Sequence, residues 1–261
     1  MKPPSPDYTQ RKTRFERCLT VYGRKPVLEA LQAPGVGCER LHLARSNRQS
    51  EILDEIVALA GRHGAEIREH DRSALAHISR NAREDQGVAA DLRWDGYQQL
   101  DDVLSQEHRT QTSLLAVDGL TNPQNLGMLL RSAAAAGIGV VLPREGNCDI
   151  SPLVIKASAG AIFRANILRC GTLGPALGRL QERGWKVAVL EADAAQSLFS
   201  PLPLSPRVFV LGGETRGASQ DVLSIADERL FIPMQNGVES LNVAVTGALV
   251  AYRAGLTYEG A

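Results

Sequence analysis

Apolar and polar positions alternate along this chain in two blocks, separated by a polar, acidic stretch. In the first block, RLHLA (40–44) alternates with the period of a half-buried strand. EILDEIVALAGRHG (51–64) sets Ile52, Ile56, Leu59 and Ala60 on one helical stripe and stops at glycine. PVLEAL (26–31) opens with proline at an N1-like position and predicts a short helix. AEIREH (65–70), a helical stretch near 72–80 and GVAADLR (87–93) continue the alternation. A small α/β domain is predicted over 17–93. Ahead of it, residues 1–16 are polar and contain proline, which predicts a flexible tail. Residues 94–112 (WDGYQQLDDVLSQEHRTQT) are predicted to be a linker carrying a short helix at 98–105.

The second block starts at Ser113. LLAVD (114–118), GVVLP (139–143), KVAVLEA (186–192), RVFVLGG (207–213) and RLFIP (229–233) are short apolar runs bounded by Gly, Pro or Asp. Such runs are the signature of strands buried on both faces of a parallel sheet. Helical stretches are predicted at 126–136, 173–183, 219–226 and 241–254. The alternation gives an α/β layered domain over 113–261, with ligands expected at the C-terminal ends of its strands.

Composition narrows the chemistry. With 29 Lys+Arg against 29 Asp+Glu the net charge is zero, which by itself argues against a nucleic-acid partner. The charge is uneven, however: residues 1–48 carry 10 basic and 4 acidic side chains, and residues 49–112 carry 7 and 13. The basic start either binds phosphate or is a solvated tail. Four cysteines (Cys18, Cys38, Cys148, Cys170) have no CxxC spacing, so neither a zinc site nor a disulfide framework is suggested. No apolar signal region and no uncharged membrane-length run is present, so a cytoplasmic location without a membrane span is expected. All five histidines precede residue 109, which removes His-based triads and His metal sites from the second block. GxxxxGK[ST] and GxGxxG loops are absent as well, so its chemistry must use Arg, Asn, Ser, Glu and backbone groups.

Three segments look like a site. In GLTNPQNLGMLLRSAAAAG (119–137), Asn125 is the expected N-cap and Gly127 allows close backbone approach. Arg131 lies one turn after Gly127 on the same face. A cation near a helix start is electrostatically unfavourable, so an anionic partner is expected. In VLGGETRGASQD (210–221) a strand ends in a glycine-rich turn, with Glu214 placed either to pair with Arg131 or to hold a cofactor amine. In FIPMQNGVESLNVAVTGALVAY (231–252), Ser240 is the expected N-cap of an apolar helix, with Asn242 in its first turn. Such a helix is buried or packs on another subunit.

Taken in order, these segments resemble the three motifs of the SPOUT superfamily, specifically its TrmH/SpoU-like ribose 2'-O-methyltransferases. VYGRKPVLEAL and QGVAA (86–90) resemble the small RNA-binding domain that precedes the catalytic one in many members, so the likeness spans roughly 20–255. The resemblance implies a parallel-sheet domain threaded as a deep trefoil knot, preceded by a small α/β substrate-binding domain, working as a homodimer. It implies S-adenosylmethionine as cofactor, contacted by Gly212, Gly213, Ile232 and Leu241. Asn125, Arg131, Glu214, Ser240 and Asn242 would form the catalytic and substrate-positioning set, with Glu214 holding Arg131 and the two asparagines orienting it. No metal is called for. The expected substrate is RNA, ribosomal rather than transfer RNA. Two departures stand out: Asp85 replaces a histidine frequent before the QG pair, and Thr215 replaces a glycine after Glu214. A non-catalytic RNA-binding protein on the same fold and a methyltransferase acting on a base nitrogen of tRNA are the rival readings.

Overall fold

The computed structural model describes residues 18–94, 96–105, 112–214 and 216–256. The expected tail at 1–16, Thr215 and part of the predicted linker lie outside the described residues. The chain divides into two compact units, 1–96 and 97–261.

The first unit runs β1 (Cys18–Tyr22), α1 (Arg24–Gln32), β2 (Val36–Ala44), α2 (Glu51–Arg62), β3 (Glu66–His70), α3 (Arg72–Ser79) and β4 (Val88–Trp94). Its four strands pair in the order β1-β4-β2-β3, antiparallel except for β2 with β3. The buried stripe of α2 is Leu53, Ile56 and Ala60, facing inward with Val27, Ala30 and Leu31 of α1; of the expected stripe Ile56 and Ala60 are buried, while Ile52 and Leu59 are only part-buried at its edge. Asp71 caps α3, accepting from the Ala74 N–H at 2.7 Å. A polar row crosses the sheet on the face that also carries Tyr22, Ala44 and Ala89. Thr20 Oγ1 donates to Asp91 Oδ1 (2.7 Å), Asp91 Oδ2 meets His42 Nε2 (3.1 Å), and His42 Nδ1 meets His70 Nε2 (2.9 Å). An ionised Asp91 needs a donor at His42 Nε2. In the His42 Nδ1–His70 Nε2 contact one ring nitrogen donates and the other accepts.

The second unit runs β5 (Gln98–Gln99), α4 (Leu100–Leu104), β6 (Ser113–Asp118), α5 (Pro123–Ala135), β7 (Gly139–Pro143), α6 (Pro152–Ala157), a 3-10 turn (Ala161–Arg164) and β8 (Ile167–Cys170). It continues with α7 (Leu173–Glu182), β9 (Lys186–Leu190), β10 (Gln196–Ser197), β11 (Arg207–Gly212), α8 (Gln220–Ser224), β12 (Glu228–Phe231) and α9 (Val243–Leu256). All eight strands pair in parallel, in the order β10-β12-β9-β11-β6-β7-β8-β5. Leu114, Ala116, Val208 and Val210 pack with α7 and Val222 on one face. Leu115, Val117 and Leu211 are equally buried on the other, beside α5 and α9. Burial on both faces explains the uninterrupted apolar runs.

Several elements lie beyond the sequence expectation. α6, the 3-10 turn, β8 and β10 are additional. Residues 97–105, expected in the linker, belong to the second unit instead: Gln98–Gln99 extend the sheet beside β8, and Leu100 joins the core. Two acidic residues of this stretch, Asp101 and Asp102, lie on the outward side of α4. Asp101 is exposed and bridged to Arg179 at 2.7 Å, while Leu100 is 1% exposed.

Candidate active site

The ends of β9, β11 and β12 and the start of α9 enclose a cavity of about 740 Å³. This is the C-terminal edge of the parallel sheet, where the topology places ligands. Four predicted cofactor contacts (Gly212, Gly213, Ile232, Leu241) and three predicted catalytic residues (Glu214, Ser240, Asn242) line it.

The glycine turn is there for close packing. A Cβ on Gly212 would lie 2.2 Å from the Ala218 nitrogen and the Gly217 carbonyl carbon. One on Gly213 would lie 2.6 Å from the Gly119 oxygen. The turn is closed by a reciprocal pair, Gly213 N–H to Gly217 O (3.1 Å) and Gly217 N–H to Gly213 O (3.0 Å). Asp118, at the end of β6, ties it down by accepting from the Ser219 N–H at 2.6 Å. The cavity wall here is therefore backbone, which can read a ligand through N–H and C=O groups.

Asn125, 4% exposed, is the hub of a hydrogen-bonded chain. Its Nδ2 donates to Glu214 Oε1, and its Oδ1 accepts from Asn242 Nδ2 at 3.1 Å. Asn242 Oδ1 in turn accepts from the Ala244 N–H at 2.8 Å. Three separate motifs are thus joined through side chains 89 and 117 residues apart in sequence.

Two capping expectations are corrected. Asn122 caps α5, accepting from the Gln124 N–H at 2.9 Å with Pro123 at N1, so Asn125 sits inside the first turn. Asn242, not Ser240, caps α9, because the helix starts at Val243. The shift matters chemically: the Asn125 amide is left free of its own helix end to meet Asn242, whose amide both caps α9 and bonds Asn125.

The expected Arg131–Glu214 pair is also corrected. Glu214 is engaged by Asn125, and Arg131 is exposed on α5, with no partner among the described residues and outside the cavity lining. Six residues along an α-helix is about 9 Å of rise and about 120° of rotation, so Arg131 points away from the Asn125 face. Gly127 admits the backbone of α6 rather than a ligand: its Cβ would lie 2.5 Å from Val154 O and from Ala157 Cβ.

Glu191, Glu239, Met234 and Thr246 also line the cavity but were not singled out in the sequence. Glu191 was findable, since it directly follows the apolar run of β9, at the C-terminal edge of the sheet. Among the described residues every charged one lining the cavity is acidic: Glu191, Glu214 and Glu239. Of these only Glu191 has an ion-pair partner among the described residues, the half-exposed Arg229 at 3.3 Å. Among the described residues no group of three His, Cys, Asp or Glu is placed to hold a metal. The buried Cys170 thiol is pushed up to about 11 by its desolvation, which makes it a packing group rather than a nucleophile. No helix among the described residues is long and apolar enough to cross a membrane.

The model of the SpoU rRNA Methylase family matches residues 112–252, and that for RNA 2'-O ribose methyltransferase substrate binding matches residues 20–98. Over 239 residues the chain is 34% identical to an "Uncharacterized tRNA/rRNA methyltransferase" of Mycobacterium ulcerans (strain Agy99), a match covering 91% of this chain and 76% of that one. A TrmH-family structure from Porphyromonas gingivalis superposes with a TM-score of 0.73 at 30% identity, over 95% of this chain and 92% of its own. The SpoU methyltransferase AviRb from Streptomyces viridochromogenes, solved with AdoMet, shares the fold: TM-score 0.76, 21% identity, 95% and 92% coverage.

Proposed function

The chain belongs to the SpoU rRNA Methylase family and is an RNA methyltransferase, and from that premise we propose that it moves a methyl group from S-adenosylmethionine to a ribose 2'-hydroxyl of RNA, ribosomal in preference to transfer RNA. The observation that carries the cofactor is the charge of the cavity. Among the described residues its charged lining is three glutamates, with no Lys or Arg. That suits a ligand bearing sulfonium and ammonium charges and opposes a phosphate-bearing cofactor. The volume, about 740 Å³, lies in the range of small-molecule sites. Gly212, Gly213, Ile232 and Leu241 would hold the cofactor, the two glycines through backbone. The trefoil knot implied by the family would bring their three loops together.

The cofactor supplies a methyl group already activated on sulfur. What remains for the chain is alignment of the acceptor oxygen and removal of its proton. Asn125 and Asn242 hold each other and Glu214 fixed, so the polar edge of the site is set before RNA arrives. Ser240 lines the same cavity as Glu214 and Asn242. With no histidine in this unit's cavity, Arg131 is assigned the electrostatic role of stabilising the developing 2'-oxyanion. Because Arg131 is outside its own chain's cavity, we assign it to the site of a second copy across a homodimer interface. Exposed apolar side chains support that interface: Met128 on α5, and Val245 and Tyr252 on α9, are 42%, 49% and 52% exposed.

The test is transfer of labelled methyl from S-adenosylmethionine into unmodified ribosomal and transfer RNA, followed by nucleoside analysis. A single 2'-O-methylated nucleoside from ribosomal RNA is expected. Label on a base would replace the ribose assignment. Absence of both transfer and cofactor binding would favour the non-catalytic RNA-binding reading.

A further inference from the structure

We propose that a cleft on the first unit, lined by Arg24, Ser46, Asn47, Arg48, Arg72 and Gln86, seats the phosphodiester backbone of the substrate RNA and contributes affinity without reading bases. The inference rests on the RNA-methyltransferase reading and specifies where the first unit holds its substrate.

Two loops build the cleft, 45–50 after β2 and 84–87 before β4, and they are cross-braced. Arg24 Nε donates to Gln86 O (3.3 Å) and Arg24 Nη1 to Ser50 Oγ (3.1 Å), while the Arg24 N–H donates to Gln86 Oε1 (3.0 Å). Asn47 Nδ2 donates to Gly87 O at 2.8 Å. Gln86 is held at φ 52°, a left-handed conformation that costs a non-glycine residue energy and persists only where its surroundings enforce it. Within the second loop Asp85, 1% exposed, turns its carboxylate inward and accepts from Gly87 N–H (2.9 Å), Ser79 Oγ (3.0 Å) and Arg72 Nη1 (3.1 Å). Asp85 therefore acts as a positioning residue. Its carboxylate pins Arg72 at the rim.

The charge count decides the ligand. Three guanidiniums line the cleft, and the one carboxylate bonded to them is buried and engages Arg72 alone. Arg48 is exposed and has no partner among the described residues. An excess of planar guanidiniums, one of them braced to a rigid loop, is a phosphate-binding arrangement. Among the described residues no aromatic side chain lines the cleft, so its lining offers no platform for stacking an unpaired base, the usual route to RNA sequence recognition. Contacts of this kind set register and affinity, and leave nucleotide choice to the catalytic unit.

The full chain is titrated with unmodified ribosomal RNA between about 50 and 300 mM salt, and steady-state methyl transfer is measured in parallel. Arg48→Glu is the cleanest reporter because it breaks no bond among the described residues. Arg72→Gln is paired with Arg72→Lys to separate charge from the Asp85 contact. We expect Arg48→Glu to weaken RNA binding at least tenfold and to flatten the log–log salt slope by about 1. KM for RNA should rise with kcat at saturation unchanged, and S-adenosylmethionine binding should stay native. Arg72→Lys should restore most of the affinity lost in Arg72→Gln. An unchanged Kd and salt slope in folded Arg48→Glu would overturn the proposal. So would tight binding of inorganic phosphate abolished by Arg48→Glu while RNA affinity is unaffected, which would make the cleft a free-anion site. Failure of methyl transfer in the native chain, with RNA binding still lost in Arg48→Glu, would sink the enzymatic reading and leave this one standing.

Discussion

Asn242 carries two separable bonds. Its Oδ1 caps α9, and its Nδ2 positions Asn125. Asn242→Ser keeps a capping oxygen and loses the reach to Asn125. It should therefore melt within about 2 °C of the native chain yet lose methyl transfer at least tenfold. Asn242→Ala should lose activity to the same extent and also melt lower, by a cap worth about 1 kcal/mol. Equal activity in native and Asn242→Ser proteins would remove the asparagine pair from the mechanism. The residue types of this site were legible in the sequence, and their partners were not. Which asparagine caps α5 depends on Pro123 occupying N1, which moves the cap to Asn122. Which group Glu214 meets depends on a contact across 89 residues, beyond the reach of local spacing.

At the scale of elements, two glycines in helices have opposite roles. A Cβ added to Gly178 in α7 would meet nothing within 4 Å, whereas Gly127 in α5 is pressed against the backbone of α6. Gly178→Ala should stabilise the chain by about 0.5–1 kcal/mol by removing unfolded-state freedom. Gly127→Ala should destabilise it by about 1–3 kcal/mol through overpacking. Denaturant melts of both variants check the pair, and two shifts of the same sign would contradict the packing described. The polar row of the four-stranded sheet gives a pH dependence. Burial, followed by the nearby His42, holds the His70 imidazole below its ordinary value of 6.5. Burial pushes the Asp91 carboxyl up, but the His42 and Thr20 hydrogen bonds outweigh it and hold it below 3.8. In both cases the unfolded chain binds more protons as pH falls. The His70 contribution is complete above pH 6.5 and declines below it, and that of Asp91 is lost below pH 3.8. Unfolding of the native chain should thus become easier from about pH 7.5 to about pH 5.5, and less so in His70→Gln. A native chain that gains stability over that interval would contradict this account. Strands with continuous apolar runs were readable from the sequence. β8 was not, because its Arg169 is buried mid-strand and interrupts the apolar run, its guanidinium bonded to Asp149 at 3.0 Å and lying over Tyr97.

At the scale of the whole molecule, the division into a substrate-binding unit and a catalytic unit was legible from the two blocks of alternation. The position of the boundary was not, because composition alone does not show that β5 pairs with β8. The placement of Arg131 outside its own cavity makes a prediction about assembly. In a mixed preparation of Arg131→Ala and Asn242→Ala chains, each inactive alone, half the dimers carry one intact site if Arg131 acts across the interface. About a quarter of native activity should then return. No recovery, with mixed dimers shown to form, would place Arg131 at its own chain's site.

The central claim is methylation of a ribose oxygen. Its most direct test is mapping of alkali-resistant linkages in RNA treated with the protein and S-adenosylmethionine, because a 2'-O-methyl group blocks the hydroxyl that alkaline cleavage requires. One new resistant linkage, absent with Arg131→Ala and with Asn242→Ala, is the predicted result. Methyl incorporation without any new resistant linkage would contradict it and move the acceptor to a base.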